Sequence, residues 1–87
     1  MFSNLPTIDL HGEYRDSARI LINEFIDDSY KLGYEKVIIV HGIGKGILKD
    51  EVKKCLKKNK KVAKFYIDFF NIGSTIVELN KKSWQKE

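Results

Sequence analysis

The run Val37-Ile38-Ile39-Val40 passes without a break into His41-Gly42-Ile43-Gly44-Lys45-Gly46. After it, Ile47 to Lys58 repeats its apolar residues at helical spacing. Four successive β-branched residues crowd a helix and favour a strand. The reading is therefore a strand, a turn with glycine at every second position, and a helix. Such a turn leaves backbone N–H groups and a helix N-terminus facing outward, which suits an anion, above all a phosphate. A second stretch, Ile8-Asp9-Leu10-His11-Gly12, ends an earlier strand in a similar way. The two turns are expected to face each other and form the working site.

The elements around them follow from periodicity. Thr7–Leu10 alternates, with Ile8 and Leu10 on one side and Asp9 and His11 on the other. Tyr14, Ala18, Leu21, Ile22, Phe25, Ile26 and Ser29 recur at helical spacing between Tyr14 and Leu32, and Gly33 suits the helix end. Val37–Val40, β-branched throughout, reads as a strand buried on both faces. The second helix puts Leu48, Val52, Cys55 and Leu56 on its inner stripe and stops near Asn59. Val62–Phe70 alternates, with Ala63, Phe65, Ile67 and Phe69 expected on one face. Asn71-Ile72-Gly73 reads as a turn and Ser74–Leu79 as the last strand. Tyr14, Tyr30 and Tyr34 read as helix packing.

The order is β-α-β-α-β-β in one two-layer α/β sandwich with a mixed four-stranded sheet. Residues 1–6 form a lead-in, residues 7–80 the domain, and residues 81–87 a tail that is polar apart from Trp84. The helix-linked first and second strands should be parallel with a right-handed crossover, and the last two antiparallel. Parallel strands end on the same edge of a sheet. That brings His11-Gly12 beside His41-Gly42, where open α/β sheets bind ligands.

Composition narrows the partners. Among 87 residues, 43% hydrophobic and 32% charged is the balance of an ordinary globular domain, and the start at Met1 leans towards a complete chain. No apolar run has the roughly 20 residues of a membrane span, and no signal-peptide pattern opens the chain. The single cysteine, Cys55, excludes an internal disulfide and fits a reducing cytoplasm; on the apolar stripe, it reads as packing. Charge is segregated. Residues 1–44 hold four Lys/Arg against seven Asp/Glu, whereas residues 45–87 hold twelve lysines against five carboxylates. A one-sided basic surface is the footprint of a polyanion. The lysines read as two helical stripes, Lys49/Lys53/Lys57/Lys60 and Lys54/Lys58/Lys61, forming either a solvated face or a rail for a sugar-phosphate backbone. Lys64 and Tyr66 are expected to add charge and stacking from the third strand.

The chemistry rests on few residues. Asp9, two positions from His11, is expected to orient its imidazole for proton transfer. His41 is either a turn-stabilising or a functional histidine. The turn matches neither G-x-x-x-x-G-K-[ST] nor G-x-G-x-x-G, which argues against nucleotide triphosphates and dinucleotides. A phosphate cradle of Gly42, Gly44 and Gly46, with Lys45 as a point charge, remains. Asp9, His11 and His41 also offer an N/O ligand set for a divalent metal, though no cofactor is required by this reading.

Together these residues resemble the small MutS-related, or Smr, domain. Family members open with Leu-Asp-Leu-His-Gly, here Ile8 to Gly12. They continue to His-Gly-x-Gly-x-Gly, here His41 to Gly46, and close with a strand like Thr75-Ile76-Val77-Glu78-Leu79. The resemblance implies a fold like the C-terminal domain of bacterial translation initiation factor three, with the last strand inserted beside the second. It implies endonuclease activity on DNA or RNA, with Asp9 and His11 matching the cleavage motif and His41, Gly42, Gly44 and Gly46 the supporting turn. Two departures stand out. The usual His-Gly-Lys-Gly-Thr-Gly carries Ile43 in place of its lysine and Lys45 in place of its threonine. A Gly-Gly-x-Gly segment before the last strand is reduced to Asn71-Ile72-Gly73-Ser74.

Two functions are therefore expected. The first is an endonuclease cleaving RNA or DNA, with Asp9, His11 and His41 as catalytic residues. Its phosphate contacts would be Gly42, Gly44, Lys45, Gly46, Lys49, Lys53, Lys57 and Lys64. The alternative is a module of the same fold that holds RNA, DNA or a ribosome without cutting. Neither involves a membrane.

Overall fold

A computed structural model of the chain describes residues 4–81. The first three residues of the lead-in and the tail from residue 82, Trp84 included, lie outside the described residues. The elements are β1 (Thr7–Asp9), α1 (Arg15–Lys31), β2 (Lys36–Val40), α2 (Ile47–Lys58), β3 (Val62–Asp68) and β4 (Asn71–Leu79). The sheet runs β1-β2-β4-β3. β1 and β2 are parallel, and β4 is antiparallel to both neighbours. The last strand thus lies in the middle, beside the second.

Both helices pack on one face of this sheet. Leu10, Val37, Ile39, Val77 and Leu79 meet Ala18, Ile22 and Ile26 of α1 and Val52, Cys55 and Leu56 of α2 in one buried cluster. Fully burying one such aliphatic side chain contributes about 1.5–3 kcal/mol. α1 ends where the sequence suggests. Gly33 donates to the Tyr30 carbonyl and Tyr34 to the Ser29 carbonyl, the paired bonds that close a helix at glycine.

An ion pair that the sequence pattern does not reveal joins the helices. Glu51 is 5% exposed on the inner side of α2 and accepts from Arg19 Nε of α1 at 3.1 Å. Arg19 also reaches Asp16 at 3.2 Å, and the Cys55 thiol donates to Glu51 Oε2 at 3.6 Å. The Arg19 hydrogen bond holds the Glu51 carboxyl below its ordinary pKa, while burial pushes the Cys55 thiol up.

Several expectations need correction. Tyr14 precedes α1 and is 84% exposed, and Tyr34 is exposed too; only Tyr30 packs on the core. β2 alternates between buried and half-buried, and it is β4 that is buried continuously from Gly73 to Val77. In β3 the register shifts between Val62 and Lys64, so Val62 joins Phe65 against the core and Ala63 is exposed. An extra residue in one strand reverses the alternation beyond it. β3 stops at Asp68, whose carboxylate accepts from the Phe70 backbone N–H at 2.9 Å. The hairpin turn is therefore Phe69-Phe70, and Asn71-Ile72-Gly73 belongs to β4. α2 ends at Lys58, so Lys60 and Lys61 extend no helical stripe.

Candidate functional site

The carboxyl ends of β1 and β2 lie side by side. Asp9 is in register with Val40, and Leu10 N–H donates to the Val40 carbonyl at 2.8 Å. The chain beyond each strand turns into a helix, so His11 and His41 leave adjacent strands on one edge. His11 is exposed and lies in the turn after β1, not on the strand with Asp9. Asp9 Oδ1 accepts from the His11 backbone N–H at 2.9 Å, so the carboxylate shapes the turn that presents the imidazole. Its hold on His11 is through the main chain.

His41 stands differently. It is 5% exposed, with Nδ1 2.8 Å from the Gly42 carbonyl and Nε2 2.9 Å from Thr75 Oγ1. A carbonyl only accepts, so Nδ1 carries a proton. The ring fastens the start of the glycine turn to β4. The main chain does the same, because the Gly73 carbonyl accepts from both His41 and Gly42 N–H at 2.9 Å.

The glycines of the turn are not alike. Gly42 and Gly46 have φ of +82° and +83°, a region that costs other residues about 1–2 kcal/mol. Gly44 has no positive φ, and a Cβ built there meets nothing within 4 Å. Neither backbone conformation nor crowding within the free protein demands a glycine at 44. A bare backbone there leaves room for a ligand to approach closely.

Both helices start on this edge. Tyr14 before α1 and Gly46 before α2 supply no side-chain cap, so the first-turn N–H groups of each helix stay available. A groove of about 360 Å³ runs along the glycine turn, lined by Glu13, Tyr14 and Arg15 on one side and by His41 to Lys49 on the other; His11 and Gly12 are not part of its lining. Arg15 has no role in the sequence reading, and Tyr14 is assigned there to helix packing. Their signal was only position, directly after the His11-Gly12 turn.

Of the expected lysines, Lys45 and Lys49 line this groove, and Lys53 joins Lys49 in a cavity of about 230 Å³ between α2 and β3. Lys57 follows one turn later on α2 and is exposed. Lys64 is not brought to them. It is paired in register with Glu78 on β4, and Glu78 also accepts from the Tyr66 hydroxyl at 2.9 Å, which raises the Tyr66 pKa. Among the described residues no group of three or more His, Cys, Asp or Glu side chains is placed to hold a metal. No helix of the described residues is long and apolar enough to cross a membrane.

This geometry has close counterparts. The family model of the Smr domain matches residues 8–80. The chain belongs to the Smr domain family. This Smr domain is 40% identical over 75 residues to a protein named endonuclease MutS2 from Alkaliphilus metalliredigens, a match covering 83% of the chain and 10% of that protein. It thus spans about a tenth of the length of the curated relatives it matches. The crystal structure of the Smr domain of Thermus thermophilus MutS2 superposes with a TM-score of 0.84 at 24% identity, covering 87% of this chain and 99% of that one. YdaL, a stand-alone small MutS-related protein from Escherichia coli, superposes with a TM-score of 0.83 at 21% identity, covering 86% and 64%. This Smr domain therefore shares their mixed sheet and helix order.

Proposed function

We propose that this domain cleaves phosphodiester bonds in RNA or DNA at the edge where β1 and β2 end. The observation that supports the reading most is that β1 and β2 end side by side, so the turn holding exposed His11 and the glycine turn leave the same sheet edge, where the start of α2 has no side-chain cap. The kinship to proteins named endonuclease MutS2 supports the same reaction class.

The groups suggest a division of labour. The turn around Gly44, the first turn of α2, Lys45 and Lys49 receive the phosphate and offset charge growing on its oxygens. His11 handles the proton, in a position fixed by Asp9 through the backbone. On RNA, the His11 imidazole accepts the proton of the 2′-hydroxyl, and the 2′ oxygen attacks phosphorus. The bond to the 5′ oxygen then breaks, and that oxygen takes a proton from solvent. The products are a 2′,3′-cyclic phosphate and a 5′-hydroxyl. His41, with both ring nitrogens engaged, is a positioning residue in this scheme.

The test is incubation of end-labelled single-stranded RNA and matched DNA with the protein and with its His11→Ala variant, each with and without EDTA. Cleavage that survives EDTA and falls by several orders of magnitude in the variant supports the proposal. Wild-type rates in the variant remove His11 from the mechanism.

The binding module is the second reading. It is favoured by Asp9, which bonds the His11 main chain, and by His41, whose ring is occupied inside the protein. Salt-dependent retention of either strand, or of ribosomes, without products would select it.

A further inference from the structure

Two phenylalanines stand almost bare at the tip of the β3–β4 hairpin. Phe69 is 89% and Phe70 91% exposed, with their rings edge to face at 5.5 Å. A packed core does not need them, and turns ordinarily use Gly, Asn, Asp or Pro. Here Asp68 makes the turn by accepting from Phe70 N–H, which leaves both rings projecting.

Their place in the fold matters. β3 pairs with β4 antiparallel, as β2 does, so β3 runs parallel to β1 and β2 and ends on the same sheet edge. That edge therefore presents, in order, the His11 turn, the glycine turn, the start of β4 and the Phe69-Phe70 tip. The glycine turn and the tip are two strand spacings apart, roughly 10 Å, within reach of neighbouring nucleotides. Two lysines mark the way between them. Lys49 lines both the glycine-turn groove and the α2–β3 cavity, and Lys53 and Ile67 carry that cavity to the foot of the tip.

We infer that Phe69 and Phe70 stack on an unpaired base of a single-stranded nucleic acid whose backbone runs from the glycine turn past Lys49 and Lys53. The inference rests on the proposed phosphate-binding role of that turn and adds the substrate form: single strand rather than duplex. Bases within a duplex have their faces covered by neighbours, whereas every unpaired base offers a face to an aromatic ring. A second copy of the chain is a poorer occupant. Two phenyl rings present about 300–500 Å², which even with exposed Ile72 beside them falls short of the roughly 800 Å² per partner in a stable interface. The lysines beside them would also face a like-charged surface.

The experiment measures binding at low salt of a labelled, mixed-sequence single strand and of an abasic strand of the same sugar and length. The wild-type protein is compared with the Phe69→Ser/Phe70→Ser and Phe69→Tyr/Phe70→Tyr double variants, with sedimentation of each. The expected result is that wild type prefers the intact strand by roughly 5- to 150-fold. The serine variant should lose that preference while holding the abasic strand as before, and the tyrosine variant should keep it. The wild-type comparison needs no variant to fold. Equal binding of intact and abasic strands by wild type overturns the stacking site and leaves the phosphate reading standing. Binding of neither strand overturns both. A wild-type dimer that the serine variant dissolves reassigns the tip to self-association and overturns the inference.

Discussion

His41 and Thr75 share a buried hydrogen bond of 2.9 Å that ties the end of β2 to the middle of β4. With the Nδ1 bond to the Gly42 carbonyl, it leaves the ring no spare nitrogen. Replacing Thr75 by Val keeps the shape and orphans Nε2. An unsatisfied buried polar group costs about 1–3 kcal/mol, so Thr75→Val should lower the unfolding free energy by that amount, whereas Thr75→Ser should recover most of it. Chemical denaturation of the three proteins checks this.

The glycines of the turn should separate by substitution. Gly42→Ala and Gly46→Ala force a side chain into positive φ and should each destabilise the fold by about 1–2 kcal/mol. Gly44→Ala should leave stability within about 0.5 kcal/mol and, if the turn binds phosphate as proposed, still weaken binding of a single-stranded oligonucleotide, because the added methyl fills the open space at that position. A melting curve and a binding titration on the same samples decide it. Unimpaired binding by Gly44→Ala would remove that residue from the cradle.

Asp9 offers a test of geometry against charge. An asparagine oxygen accepts from the His11 backbone N–H as the carboxylate does. Asp9→Asn should therefore keep the turn and the melting temperature, and any loss of cleavage then measures the missing charge. Asp9→Ala should lose both. Cleavage rates and melting temperatures of the pair distinguish the two contributions.

The inter-helix ion pair sets an acid limit. The Arg19 hydrogen bond depresses the Glu51 pKa below 4.5, and Lys31 and Lys61 depress that of Asp27 below 3.8. A carboxyl with a lowered folded-state pKa stabilises the fold fully above its unfolded value, and that contribution disappears as pH falls through the folded value. Stability should therefore hold above about pH 4.5 and decline below it. Glu51→Gln should be less stable at pH 7 and flatter in acid. Cys55 has the opposite sign: its raised pKa favours the fold below pH 9 and less above it. Denaturation midpoints measured across pH give both slopes.

Single-lysine changes should read out as salt dependence. Lys49→Ala and Lys53→Ala should each lessen the slope of log affinity against log salt by about 0.7 on single strands. Lys64→Ala should leave it unchanged, since Lys64 on β3 lies beside Glu78 of β4.

Much of this molecule was legible in its sequence because its strongest signals are local. The β-branched run, the alternating glycines and the amphipathic Ile47–Lys58 helix each announce themselves within a dozen residues, and parallel pairing of β1 and β2 then brings the two turns together. What escaped depends on the third dimension. Nothing in the sequence distinguishes Glu51 from the other carboxylates; only the packing of α1 against α2 sets Arg19 opposite it. Val62 and Ala63 exchanged sides because a register shift obeys no periodicity. The alternation Phe65, Ile67, Phe69 ran on past the true end of β3, since nothing in the pattern marks two phenylalanines as a turn. His41 reads from the sequence as either turn-stabilising or functional, and its bond to Thr75 depends on a strand remote in sequence.

The position of β4 has a consequence for how the domain comes into being. Its nine residues are the last of the sheet to be synthesised, yet they lie between β2 and β3 and supply the carbonyl that holds the glycine turn. Before they emerge from the ribosome, β2 has one unpaired edge, β3 has no partner, and the turn lacks its anchor on Gly73. The site and the sheet therefore mature in the same event, so a nascent or truncated chain lacking Asn71–Leu79 carries the candidate residues without their arrangement.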